Sequence, residues 1–232
     1  MPFCARLTRC SAPINVPSVN LVLMGPPGSG KGTQAARIAH VKGVPVIATG
    51  DMLRRTALAP TPLGRAVKLL MDRGELIDDE VMIEILSERI VLPDAQRGFV
   101  LDGFPRTVNQ GLALDVLMEN RGPVVVVEIA VPQQELIRRL SRRLVCHRCG
   151  AIANPLGGDT SCHCGGAFQP RTDDQDAVAL DRLRIYTRAT EPLVDFYRKR
   201  ATFCVVDGML APDRVAADIA RAIDTAFDNV SA

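Results

Sequence analysis

Val19-Asn20-Leu21-Val22-Leu23-Met24-Gly25-Pro26-Pro27-Gly28-Ser29-Gly30-Lys31-Gly32-Thr33 decides how this chain folds. Val19–Met24 reads as a buried strand, and Lys31–Val41 behind it as a helix. The glycine-rich turn between them is a phosphate cradle, a P-loop. Glycine lets backbone N–H groups turn inward around phosphate oxygens, and the helix N-terminus adds positive potential. Lys31 supplies a mobile point charge for the outer phosphates. One departure stands out: Gly32 follows the lysine, and the hydroxyl of Thr33 comes one place later than the general motif sets it.

Outward from this stretch, short apolar runs alternate with helical spacing. Val44–Ala48, Phe99–Leu101, Val124–Ile129 and Thr202–Val206 read as further strands. Helices are predicted over Asp51–Ala57, Leu63–Arg73, Asp78–Val91, Thr107–Asn120, Gln133–Leu144, Asp173–Arg200 with a break near Pro192, and Pro212–Ala226. Such alternation implies an α/β fold, a five-stranded parallel sheet covered on both faces. Ligands then bind at the carboxyl ends of the strands.

Composition narrows the function classes. The 232 residues carry 28 Lys plus Arg against 26 Asp plus Glu, a formal net charge of +2, which argues against binding nucleic acid through charge. Aromatics are 4% and Trp is absent, so the core is aliphatic and no stacking platform for single strands is expected. No apolar run is long enough to span a membrane. Residues 1–18 are basic without the apolar stretch of a secretory signal, and read as an extension outside the fold. Of the 7 Cys, Cys146, Cys149, Cys162 and Cys164 cluster, which suggests a metal site in a reducing cytoplasm rather than a disulfide framework.

Gly25-Pro26-Pro27-Gly28-Ser29-Gly30-Lys31-Gly32-Thr33-Gln34, Thr49-Gly50-Asp51-Met52-Leu53-Arg54 and Asp102-Gly103-Phe104-Pro105-Arg106-Thr107 together resemble the adenylate kinase family over roughly residues 19–227. The resemblance implies Mg·ATP + AMP ⇌ 2 ADP by a P-loop enzyme with a three-layer α/β/α core. It divides the chain into a core of 19–47, 78–141 and 175–232, a nucleoside-monophosphate-binding arm of 48–77, and a lid of 142–174. It implies that Lys31, Arg106, Arg143, Arg171 and Arg182 surround the transferring group. Arginine suits that task, because its planar fork binds phosphate at two points and stays charged.

The same resemblance gives the ATP side as Gly28, Ser29, Gly30, Lys31, Gly32, Thr33, Arg139, Arg143, Gly208 and Leu210. Arg139 is expected to stack on the ATP adenine. The AMP side is Thr49, Arg54, Glu75, Leu76, Ile77, Gly103, Phe104, Pro105, Arg106, Gln110, Arg171 and Arg182. Gln110 has two readings, as an adenine reader and as the last residue of a capping box with Thr107; Thr172 and Gln175 also fit a helix cap. Asp102, at a strand end beside the P-loop, suits a hydrated magnesium ion.

Cys146-x-x-Cys149-Gly150 is a metal knuckle. The second half, Ser161-Cys162-His163-Cys164-Gly165, is less regular. A four-sulfur zinc site from Cys146, Cys149, Cys162 and Cys164 is expected, with His163 as a substitute for one thiolate. A closed tetrahedral site would be structural, because an insert this small cannot bury a core of its own.

Alternatives remain within and beyond enzymes. A UMP or CMP kinase would carry a short lid, and a GTP donor is compatible with the motifs. A non-catalytic zinc or nucleotide-sensing module would have lost Lys31 or the arginines. A nucleic-acid binder built on the knuckles would need a basic, aromatic insert, which 145–170 is not. The reading is a cytoplasmic monomer whose partners are ATP, AMP and ADP, with no nucleic acid and no membrane.

Overall fold

The computed structural model describes residues 19–73, 75–153, 161–171, 174 and 176–231. The expected extension over 1–18 and the Thr172–Gln175 cap involve residues outside this set.

Strands β1 (Val19–Met24), β2 (Val46–Ala48), β3 (Gly98–Asp102), β4 (Val124–Ala130) and β7 (Phe203–Asp207) form a parallel sheet in the order β2-β3-β1-β4-β7. Alternate residues of one strand face opposite layers, and here both layers are apolar. Leu21, Leu23, Val125 and Val127 pack with Ala35 and Ile38 of α1 (Lys31–Lys42) and Ile219 and Ile223 of α9 (Pro212–Ser231). Val22, Met24 and Val126 pack with Leu86 of α4 (Asp79–Ile90), Leu114 of α5 (Val108–Met118) and Leu193 and Tyr197 of α8 (Glu191–Arg198). Burial on both faces is why these strands read as continuous apolar runs rather than alternating ones. Arg200 ties α8 to α5 through two 2.6 Å bonds to Asp115.

The sheet order sets the site. After β1 the chain crosses toward β2, and after β3 it crosses back to β4 on the opposite side. The loops leaving β1 and β3 therefore open a crevice at their carboxyl ends. Leu23 pairs with Asp102 in register there.

Helices α2 (Thr49–Leu58) and α3 (Pro62–Asp72) fall within residues 48–77. Thr61 caps α3 through a 3.0 Å bond to the Gly64 N–H, and Pro62 starts it. One predicted boundary moves. The helix predicted over Gln133–Leu144 ends as α6 (Gln133–Ser141), because Leu144 joins β5 (Leu144–Cys146), which pairs antiparallel with β6 (Phe168–Pro170). Leu144 continues the i, i+4 row of Leu136 and Leu140, so periodicity alone carries the helix too far. The long helical stretch breaks near Pro192 as expected, into α7 (Asp176–Ala189) and α8, with Thr190 between them. Among the described residues no helix is long and apolar enough to cross a membrane.

Candidate active site

The cradle is built by backbone. Gly25, Gly28 and Gly30 all take positive φ, and Gly30 enters α1 without a side-chain cap. The first N–H groups of α1 are thus left facing the loop. Lys31 Nζ donates to Gly25 O at 2.6 Å and Pro26 O at 2.9 Å, so the ammonium lies folded over the cradle. Burial pushes its pKa down to about 8; Asp102 opposes the shift, while Arg106, Arg182 and Arg143 reinforce it. Residues from the loop after β1, the end of β3, the loop after β3, the approach to β5 and α7 therefore share one electrostatic neighbourhood.

Asp102 explains the departure at position 32. A methyl group on Gly32 would stand 3.3 Å from Asp102 Oδ2 and 3.8 Å from Ile152 Cδ1. A residue with a side chain there would press on the carboxylate at the strand end. The contact also brings Ile152, from the lid, over the cradle. Thr33 follows half-buried in the first turn of α1.

Asp174 is the residue sequence reasoning missed. Arg143 Nε donates to Asp174 Oδ2 at 2.6 Å and Arg143 Nη2 to Oδ1 at 2.5 Å. Arg182 Nη1 donates to the same Oδ1 at 3.0 Å. The Asp174 side chain is only 4% exposed, against 15% for Arg143 and 17% for Arg182. A carboxylate this buried needs partners. Two guanidinium groups share it, leaving a net positive charge that acts on the Lys31 ammonium. Its signal was an acid buried in an arginine-bearing insert, which only tertiary pairing reveals. Arg171 sits three residues earlier, and its carbonyl accepts the Asp174 N–H at 3.2 Å.

A second group surrounds the loop after β3. Arg106 Nε donates to Gly103 O at 2.8 Å. A methyl on Gly103 would lie 2.9 Å from Thr49 Oγ1 and 3.1 Å from Arg106 Nη2, so Thr49 and Arg106 flank it. Gln110 is 2% exposed, and its Oε1 accepts the Arg106 N–H at 2.8 Å. The capping box is half formed: Thr107 Oγ1 accepts the Gln110 N–H, but the Gln110 side chain reaches Arg106 rather than Thr107. Phe104 is 1% exposed in the core cluster and Pro105 is also buried, which leaves mainly their backbone to face a ligand. Arg54 on α2 pairs with Asp51 on its own helix. Glu75, Leu76 and Ile77 form the passage from α3 into α4, with Glu75 exposed and Ile77 buried.

Arg139 and Gly208, both assigned to the ATP side by the resemblance, touch each other. Arg139 Nη2 donates to Gly208 O at 2.9 Å and its Nε to Glu135 Oε1 at 2.8 Å. Glu135 also takes two bonds from Arg138, and these cations hold its pKa down to about 2. Leu210 lies exposed two residues beyond Gly208.

In the lid, the Sγ atoms of Cys146, Cys149, Cys162 and Cys164 all lie within 4.8 Å of one another. Cys146 to Cys164 and Cys149 to Cys162 are each 3.4 Å. Sulfurs about 2.3 Å from a tetrahedral zinc stand roughly 3.8 Å apart, so the donor set fits that ion in type and spacing. Burial raises the Cys146 thiol, but the N–H groups of Cys149 and Arg148 outweigh it and bring it down to about 6. A methyl on Gly166 would stand 2.4 Å from Cys146 Sγ, so only glycine fits there. His163 Nδ1 lies 3.7 Å from Cys162 Sγ, beside the four-sulfur group.

Comparison with known proteins agrees with this architecture. Residues 23–202 match the family described as adenylate kinase. An adenylate kinase of Archaeoglobus fulgidus is 44% identical over 82% of this chain and 91% of its own length. One of Methanosarcina barkeri is 43% identical over 87% of this chain and 96% of its own, and one of Rhizobium etli 41% over 87% and 97%.

Proposed function

The chain belongs to the adenylate kinase family, and on that premise we propose that it transfers the terminal phosphoryl group of Mg·ATP to AMP, reversibly, giving two ADP. One observation supports the site assignment: Arg106, Arg143, Arg182 and Asp102 all act electrostatically on the Lys31 ammonium, beside the carboxyl ends of β1 and β3.

The attacking oxygen of AMP is already ionised, so no general base is required. The obstacle is repulsion between two polyanions, and positioned cations remove it. Lys31 and the α1 N-terminus hold the donor phosphates. Arg106, with Arg54 and Arg171, holds the acceptor phosphate. Asp174 keeps Arg143 and Arg182 oriented, so their positive charge is in place before the transition state forms. Thr49, Gly103 and Gln110 face the acceptor base, with backbone from Glu75–Ile77, and Arg139 with Gly208 faces the donor base. Asp102 would hold a hydrated magnesium ion, which would supply charge neutralisation to the donor phosphates. Ile152 over Gly32 supports a lid, 142–174, that excludes water and so limits ATP hydrolysis.

Cys146, Cys149, Cys162 and Cys164 would hold a structural zinc ion, closed to substrate. The chain acts as a monomer in the cytoplasm, where thiols stay reduced. A coupled assay with AMP, CMP, UMP and GMP as acceptors tests the assignment. AMP is expected to turn over with the highest kcat/KM. Faster turnover of CMP or UMP would overturn it.

A further inference from the structure

Asp79 joins the two segments on either side of the acceptor loop. It stands in the first turn of α4, immediately after the arm, and both carboxylate oxygens are engaged. Oδ2 accepts the Thr107 hydroxyl at 2.7 Å and Oδ1 accepts Gln110 Nε2 at 2.7 Å. At its other end, Gln110 Oε1 accepts the backbone N–H of Arg106 at 2.8 Å.

The chemistry of these partners leaves the Gln110 amide one orientation. A backbone N–H can only donate, and an ionised carboxylate can only accept. Turning the amide over would set NH2 against the Arg106 N–H and the carbonyl against Asp79, two like pairs in a site where Gln110 is 2% exposed. Unmatched buried polar groups are costly, so the turned form is excluded. The oxygen and nitrogen of this amide are therefore fixed in place, each with one hydrogen-bonding position still free.

We propose that Asp79 is a specificity-determining positioning residue, fixing the Gln110 amide so that the acceptor site takes 6-aminopurine and rejects 6-oxopurine monophosphates. This rests on the reading of Gln110 as facing the acceptor base. Adenine offers an amino donor at C6 and an acceptor at N1; hypoxanthine and guanine offer an oxygen acceptor at C6 and a donor at N1. A fixed amide satisfies the first pattern with its carbonyl toward C6 and its NH2 toward N1. The second pattern needs the amide reversed, and Asp79 with the Arg106 N–H blocks that reversal.

The test is the ratio of kcat/KM for AMP to that for IMP, which differ only at this edge of the base. Asp79→Asn presents either a donor or an acceptor to Gln110, removing one of the two blocks. The ratio is expected to fall about tenfold or more. Asp79→Ala removes the acceptor without supplying a donor, and the ratio is expected to fall less. Gln110→Leu removes the reader, and the ratio is expected to collapse toward unity. If Gln110→Leu collapses the ratio while both Asp79 variants lower the two acceptors equally, Asp79 is only structural and the proposal is overturned. If Gln110→Leu itself leaves the ratio unchanged, the base-reader assignment fails first. Should Asp79→Asn not fold, by circular dichroism, Asp79→Ala carries the same comparison.

Discussion

The cradle and the lid place charged groups in the same crevice, but by different means. Around the cradle, β1 is wholly buried, β3 nearly so and β4 through its centre, between two helical layers. In the lid, the buried residues among those described are few: Cys146, Ala153, Cys162, Gly166 and Asp174. β5 and β6 pair through their backbones, with Cys146 and Cys164 bringing their sulfurs together beside that pair, and Asp174 binds Arg143 and Arg182. The proposed function assigns the well-buried half to holding phosphates and the sparsely buried half to a moving cover.

If that contrast is right, losing a cation anchored to the sheet is the most damaging change. Arg106→Ala is expected to lower kcat/KM for AMP by about 10³-fold or more with the fold intact by circular dichroism. A rate within tenfold of the unaltered enzyme would break the comparison. Next is the lid carboxylate. Asp174→Asn keeps the volume but weakens the hold on Arg143 and Arg182, and about a 10²-fold loss in kcat is expected, in a stopped-flow or coupled assay, with KM for AMP little changed. An equal loss in binding would place Asp174 with the cradle instead.

Lys31 sharpens the cradle side through pH. Its pKa, lowered to about 8 by burial, means that the free enzyme loses its ammonium as pH rises through that value, well below the ordinary lysine range. The kcat/KM for ATP is expected to fall about tenfold per unit above pH 8, while kcat, read with phosphate bound, holds to higher pH. A flat kcat/KM profile to pH 10 would contradict the burial argument. The mildest effect is expected from chelation. Removing about one zinc per chain, by metal analysis, is expected to loosen the lid and lower Tm by only a few degrees, about 1–2 kcal/mol in a domain of this size. Cooperative loss of the whole sheet would show that the two halves are one unit.

Much of the well-buried half is legible in the amino-acid order, because local signals there agree: apolar runs, glycine and proline punctuation, and an Asp at a strand end. The lid is legible only as chemistry. Its cysteines announce a cluster, but β5 and β6 lack alternation, and only their antiparallel pairing in the fold reveals them. Asp174 and Asp79 escape sequence reading for a shared reason. Each acts through partners lying 31 residues away, Arg143 and Gln110, and a carboxylate that holds another side chain carries no motif. Gln110 shows the converse. Its capping-box spacing is genuine, yet the side chain serves the Arg106 loop rather than its own helix.

The most direct measurement is calorimetric titration with two adenosines joined through a polyphosphate, which occupies donor and acceptor sites at once. The convergence of Lys31, Arg106, Arg143 and Arg182 predicts one tight site per chain, weakened at least a hundredfold by Arg106→Ala. Binding no tighter than that of ATP alone, or unaltered in the variant, would contradict it.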